Sequence, residues 1–201
     1  MSEVGPAHTL VVACGALARE LRTVLAQLPG GMDRFAVTFL PANLHNRPQE
    51  IPAAVERAVD VAAAHDEVFI AYADCGTGGL LDPLVARLGA TRLPGAHCYE
   101  FFAGAAVFAA LAEAEPGTFY LTDFLARHFD ALVVQGLGLD RHPELRDQYF
   151  AHYNRVVLLS QSDDPTLIAL GHAAADRLGL TFAHVHVGLD PFVAAIQTAV
   201  A

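Results

Sequence analysis

The sequence predicts an α/β fold: a mostly parallel, open sheet with helices on both faces, in Rossmann-like layers. Apolar runs such as Leu10-Val-Val-Ala13, Val68-Phe-Ile-Ala71 and Val156-Val-Leu-Leu159 alternate with segments whose apolar residues recur at helical spacing. Strands covered on both faces read as unbroken apolar runs, so a buried parallel sheet accounts for them. A strand, a loop, an Asp-Pro pair and a helix follow one another three times, at Asp82-Pro83, Asp164-Pro165 and Asp190-Pro191. Aspartate is a good N-cap and proline fits the first helical turn. The repetition raises an internal duplication, although Asp-Pro is also simply a good helix start.

In order, His8 to Ala13 is expected as the first strand and Leu17 to Leu28 as a helix stopped by Pro29-Gly30-Gly31. Phe35 to Leu40 is the second strand. A polar loop through Asn43, His45 and Arg47 leads to a helix over Glu50 to Ala64. Val68 to Ala73 is the third strand, with a helix over Leu80 to Leu88 capped by Asp82. Thr91 to Cys98 reads as irregular and Phe101 to Glu113 as one helix ended by Pro116-Gly117. A short extended piece over Phe119 to Thr122 enters a helix from Asp123 to Leu132. A polar turn over Gly136 to Pro143 precedes a helix over Glu144 to Tyr153. Arg155 to Gln161 and Thr181 to Val187 are strands around a helix ending at Leu178-Gly179, and Asp190-Pro191 opens the last helix. With no linker or low-complexity segment, we expect a single domain over residues 1–201. The repeated device leaves open that it is built from two similar halves.

The chain is 54% hydrophobic with mean hydropathy +0.37, rich enough for a heavily buried sheet. No apolar run approaches the roughly 20 residues of a membrane span. The start, Met1-Ser-Glu-Val-Gly-Pro6, lacks the basic residues of a signal peptide, so a cytoplasmic location is expected. A net charge of -10 without a basic cluster argues against nucleic acid and against an anionic membrane. All 12 basic residues are arginine, which excludes a lysine Schiff base and a P-loop lysine.

The chemistry gathers in loops that follow apolar runs. Cys14 directly follows Leu10–Ala13, Cys75 lies in Asp74-Cys-Gly-Thr-Gly-Gly79, and Cys98 lies in Gly95-Ala-His-Cys-Tyr-Glu100. Ligands collect at the carboxyl ends of strands in open parallel sheets, where such loops lie. Three reduced cysteines can be small buried hydrophobes. Their shared strand-to-loop context instead suggests that Cys14, Cys75 and Cys98 meet and hold a metal. Thiolates suit zinc and iron–sulfur clusters, and three protein ligands leave one coordination position open. The wide spacing matches neither a zinc finger nor a ferredoxin motif, and no Cys-x-x-Cys is present.

His45, His97 and Glu100 are candidate fourth ligands or neighbours that orient the ligands. Each histidine can equally be structural or exposed. Asp74, beside Cys75, is a candidate catalytic carboxylate. Gly76, Thr77, Gly78 and Gly79 could present backbone N–H groups to an anionic cofactor, or simply make a turn. Asp123, His128 and Asp130 cluster on one expected helix, where Asp123 reads better as a first-turn residue than as a base. Asp140-Arg141-His142 could line a pocket, with Arg141 pairing a substrate carboxylate or phosphate. No Gly-x-Ser-x-Gly is present.

Several stretches together resemble one family. They are Ala13-Cys-Gly-Ala-Leu17, Leu44-His-Asn-Arg-Pro48, Asp74-Cys-Gly-Thr-Gly-Gly79, His97-Cys-Tyr-Glu100, Gly117 to Phe124 and Gly136 to Pro143. They cover most of the chain and resemble the bacterial and archaeal family known as domain of unknown function 1638. The family name carries no activity. The resemblance implies an association with corrinoid-dependent methyl transfer, and hence a methyltransferase as partner.

Three readings follow. The leading one is a cytoplasmic metalloprotein, an enzyme acting on a small molecule at a three-cysteine site, with a [4Fe–4S] cluster preferred over zinc. The second is a non-catalytic accessory protein that hands a metal or cofactor to a methyltransferase. The third is an enzyme with a cysteine nucleophile, which leaves two cysteines unexplained.

Overall fold

A computed structural model describes residues 9–62 and 64–200. His8, where the sequence places the start of the first strand, and the stretch Met1–Pro6 lie outside the described residues. The chain divides into two compact units. The first comprises residues up to Cys98 together with Val193–Ala201, and the second Tyr99–Phe192.

The first unit contains β1 (Thr9–Cys14), α1 (Ala18–Gln27), β2 (Phe35–Leu40), α2 (Ile51–Asp60), β3 (Glu67–Ala71), α3 (Leu81–Leu88) and β4 (Thr91–Arg92). Its sheet is all parallel in the order β2-β1-β3-β4. Every residue of β1 is buried, as the unbroken run Leu10-Val-Val-Ala13 requires of a strand with neighbours on both sides. The core adds Leu21 and Leu25 of α1, Ile51 and Val55 of α2, and Leu81 of α3. Each such side chain contributes about 1.5–3 kcal/mol by leaving water.

The second unit contains α4 (Cys98–Ala103, whose first residue counts with the first unit), α5 (Ala105–Ala114), β5 (Thr118–Leu121), α6 (Asp123–Arg127), α7 (Leu145–Tyr149), β6 (Arg155–Ser160), α8 (Thr166–Leu178) and β7 (Thr181–His186). The last helix, α9 (Asp190–Ala199), begins there, and its residues from Val193 count with the first unit. Its sheet is also all parallel, in the order β5-β6-β7. The central strand, β6, is buried over Val156–Ser160, while the edge strand β7 alternates between exposed and half-buried.

The fold is therefore α/β with parallel sheets flanked by helices, but the strands form two sheets, not the one open sheet the sequence suggests. Other differences are local. The helix expected over Phe101 to Glu113 breaks at Gly104, whose φ of 79° and ψ of 141° no helix contains. The helix expected from Asp123 to Leu132 stops at Arg127, and a π-helical stretch over Asp130–Gln135 follows, burying the consecutive Val133 and Val134. Asp82 does not cap α3: it lies inside the first turn and its carboxylate accepts from Arg92 Nε at 2.7 Å. Asp164 does act as a cap, accepting from Thr166 N at 2.9 Å and from Thr166 Oγ1 at 2.7 Å. Among the described residues no helix is long and apolar enough to cross a membrane.

Candidate metal centre

In the first unit the chain moves from β1 to β2 on one side, then passes back over β1 to reach β3 on the other. The order thus reverses between β1 and β3, and ligands bind at the carboxyl ends of strands at such a reversal. Cys14 is the last residue of β1. The pair Ala13–Ala71 is the last in register between β1 and β3, so Cys14 and Tyr72 stand at the carboxyl ends of neighbouring strands. Cys75 follows three residues on. Asp74 N donates to Gly95 O at 3.1 Å and Cys75 N to Ala96 O at 2.8 Å, which lays the Cys75 loop against the segment carrying Cys98. Cys14 and Cys75 are buried and Cys98 half-buried, and all three are free thiols.

His45 stands against Cys14. This histidine lies in a 3-10 turn over Ala42–Asn46 just beyond β2. Its Nδ1 lies 3.0 Å from Ala42 O and 3.7 Å from Cys14 Sγ. Hydrogen-bonding relations join the ring to Cys75 and Cys98 as well. Cys14 Sγ also accepts from Ala16 N at 3.4 Å. The Ala42 carbonyl can only accept, so Nδ1 carries the proton of that bond. Crowding by protein disfavours charge on the ring, but its bonds to Cys14, Cys75 and Cys98 outweigh that, and its pKa is raised well above the ordinary value. The residue as a whole is nonetheless exposed. Burial pushes the Cys98 thiol up, and nearby Cys75 and Cys14 add to this, while His45 pulls the other way.

The loop after β3 has its own organiser. Asp74 accepts from Thr77 Oγ1 at 2.5 Å, from Gly79 N at 2.7 Å and from Gly78 N at 3.1 Å. The Thr77 hydroxyl first, then these backbone N–H groups and that of Gly76, hold the Asp74 carboxyl below its usual range. The N–H groups of Gly78 and Gly79 thus serve the chain's own carboxylate. Gly76, Gly78 and Gly79 adopt φ of 84°, 64° and 84°, which explains glycine at each. Cys75 itself stands at φ 51°, the one non-glycine residue with positive φ among the described residues. Such strain persists where the surroundings impose it and gathers at functional sites.

Asp74 is therefore the anchor of the loop that presents Cys75. Asp74→Asn will lower stability by about 1–2 kcal/mol, because the amide cannot accept all of these bonds. Since the folded-state pKa is depressed, the contribution of Asp74 is complete above the unfolded-state value and disappears as pH falls through the folded one. Wild type and variant should differ in melting temperature at neutral pH and converge only under strongly acid conditions. Equal melting temperatures at neutral pH would remove the anchoring role.

The other expected site residues have the following places. His97 is exposed. Glu100 is half-buried on α4, in the second unit. Arg141 sits on an exposed turn of the second unit, its side chain 75% exposed and 3.8 Å from Asp140, and His142 lies 3.3 Å from Glu144. His128 stacks on Phe124, and its Nδ1 lies 2.8 Å from Phe124 O. Asp130 starts the π-helical stretch. Asp123 is buried and tied to the end of β6: it accepts from Gln161 N at 2.9 Å and Ser162 Oγ at 2.5 Å, and its own N–H donates to Gln161 Oε1.

Sequence reasoning missed two groups. Tyr72, only 1% exposed, interacts with Cys14, Cys75 and His45. A tyrosine three residues before Cys75 in an otherwise apolar run is the signal that could have found it. In the second unit, Ser160 Oγ lies 2.9 Å from His184 Nε2 and 3.0 Å from His186 Nδ1. His186 Nε2 in turn lies 3.6 Å from Asp163. Ser160 is buried and engaged by both rings, so it joins β6 to β7 and is not open to a substrate.

Among the described residues no group of three or more His, Cys, Asp or Glu side chains could hold a metal ion as it stands. The thiols are in hydrogen-bonding relation to His45, not at coordination spacing around a common point. Fold and site together define an α/β protein with parallel sheets and a thiol–imidazole cluster at a sheet reversal. The chain belongs to the family described as Protein of unknown function (DUF1638), whose model matches residues 39–196. No curated protein and no solved structure matches it.

Proposed function

We propose that Cys14, Cys75 and Cys98 are the protein ligands of a metal centre at which this chain acts, as an enzyme, on a small molecule. The contact of Cys14 with His45 and the backbone bonds that lay the Cys75 loop against the Cys98 segment carry this reading. A nucleophile needs one thiol, and further thiols within reach would expose it to disulfide formation. Three thiolates from separate loops suit a soft metal, and a [4Fe–4S] cluster with one iron free of cysteine is preferred over zinc. Bound there, a cluster supplies a Lewis-acidic or redox-active iron, and zinc a Lewis acid alone. His45, exposed and on a short turn, occupies the remaining side of the site at rest and yields it to substrate.

The test is anaerobic purification followed by metal analysis and an absorption spectrum. Brown protein with broad thiolate-to-iron absorption supports the cluster, and colourless protein with stoichiometric zinc the other branch. Metal-free protein that is active refutes both. That outcome favours the third reading, a cysteine nucleophile, with Cys14 paired to His45 at 3.7 Å. In the second reading, a non-catalytic accessory protein, the site passes its metal or cofactor to a methyltransferase. Transfer to that partner without turnover of a small molecule would favour this reading.

A further inference from the structure

The second unit has a groove of about 450 Å³ between α8 and the end of α6 with the stretch that follows it. That volume is in the range of small-molecule pockets. The lining is apolar in part: Ala126 and Ala174 are buried, Leu170 is half-buried, and Ala173 is exposed. One wall is the π-helical stretch Asp130–Gln135. A π-helix bonds i to i+5, so residues five apart share a face, whereas an α-helix turns them away from each other. Asp130 and Gln135 are five apart, and both line the groove. Such π turns are rare and are frequent at functional sites.

Two opposite charges in the lining are left over. Arg127 is taken by Asp164 at 2.9 Å. Arg177 and Asp130 also line the groove, and neither side chain makes a hydrogen bond or ion pair among the described residues, with the other or with any third group. Each suits its helix end, Asp130 in the first turn of the π-helical stretch and Arg177 in the last turn of α8. Helix dipoles do not require both charges to border one cavity with an apolar lining.

We propose that this groove binds a small zwitterion with an apolar side chain, of the class of the apolar α-amino acids. Arg177 takes the carboxylate, for which the guanidinium fork is shaped. Asp130 takes the ammonium group, and the side chain of the ligand lies on Ala126, Leu170 and Ala174. A dianion such as phosphate fits less well, because Asp130 repels it and Arg127 is already neutralised by Asp164. Every lining residue belongs to the second unit, so this inference stands or falls apart from the three-thiol reading.

The test is isothermal titration calorimetry of the full chain with L-leucine, with isocaproate (the carboxylate without the ammonium) and with isoamylamine (the ammonium without the carboxylate). We expect saturable binding of L-leucine, weakened about fivefold for either analogue, as for an exposed ion pair at its upper range. L-alanine should bind about tenfold more weakly than L-leucine, because it covers less of the apolar lining. Arg177→Gln should weaken L-leucine and leave isoamylamine unchanged, whereas Asp130→Asn should weaken L-leucine without weakening isocaproate. Ala173→Leu, at an exposed position of α8, should fill the groove and abolish binding at an unchanged melting temperature. No saturable binding of L-leucine would overturn the assignment. So would equal binding of L-leucine and both analogues, or full binding of L-leucine by Arg177→Gln and Asp130→Asn.

Discussion

On the proposed three-thiol reading, changing any one of Cys14, Cys75 or Cys98 to serine will remove most of the metal the protein takes up, and the three losses will look alike. A serine hydroxyl stays protonated near neutral pH, where a metal-facing thiol gives up its proton, so it is a poor replacement ligand. A centre held by three protein donors cannot readily drop to two. Cysteines serving only as buried hydrophobes would respond differently. Each serine would then cost about 1–3 kcal/mol of stability, with no common effect on metal. A nucleophile would give one inactive variant and two near-normal ones. Metal content and melting temperature of the three variants separate these outcomes, and one fully loaded variant would refute the three-ligand assignment. Cys75 allows a sharper version, because its φ of 51° favours glycine. Cys75→Gly should abolish metal binding yet stabilise the metal-free chain by roughly 1 kcal/mol. A site residue whose loss stabilises the fold is retained for something other than folding.

Asp123→Ala will destabilise the second unit by about 3 kcal/mol, the largest stability effect we expect of a single polar side chain here. The Asp123 carboxylate accepts from Gln161 N and Ser162 Oγ at the end of β6, and both Asp123 and Gln161 are buried. Truncation leaves the Gln161 N–H without a partner where water cannot replace it. Asp123→Asn keeps the volume and one acceptor, so it should lose less. Denaturant unfolding at neutral pH measures both, and a loss below about 1 kcal/mol for alanine would show that the carboxylate is not what ties α6 to β6. Were Asp123 a general base, the asparagine variant would lose activity with stability nearly intact.

Much of the fold was legible because burial writes itself into continuous apolar runs. β2 has the bounds the sequence assigns, and β1, β3, β6 and β7 agree within two residues at either end. The misreadings have physical causes. Gly104 lies within helix-forming residues, and helices tolerate an isolated glycine, so nothing local announces its φ of 79°. Asp82-Pro83 looks like a cap, but Leu80 and Leu81 already have helical conformation, so the helix starts earlier and Asp82 is free to pair with Arg92.

At the candidate site, the sequence by itself supplied the inventory. It determined that three thiols, one histidine and a glycine-rich loop follow strands, because residue type and hydrophobic pattern are local properties. It did not determine that Asp74 spends its carboxylate on its own loop, since a turn carboxylate and a carboxylate aimed at a ligand have the same sequence. Nor did it distribute the strands between two sheets. Only the tertiary structure decided that β1 lies between β2 and β3, which sets Cys14 and Tyr72 at the carboxyl ends of neighbouring strands, and that the Cys98 segment lies against the Cys75 loop. A strand buried on both faces carries no alternation to show which side of the sheet a given residue takes, or which strand lies next to it. Neighbours are chosen by packing across the whole unit, and that choice brought Cys14 against His45 and the Cys75 loop against the segment carrying Cys98.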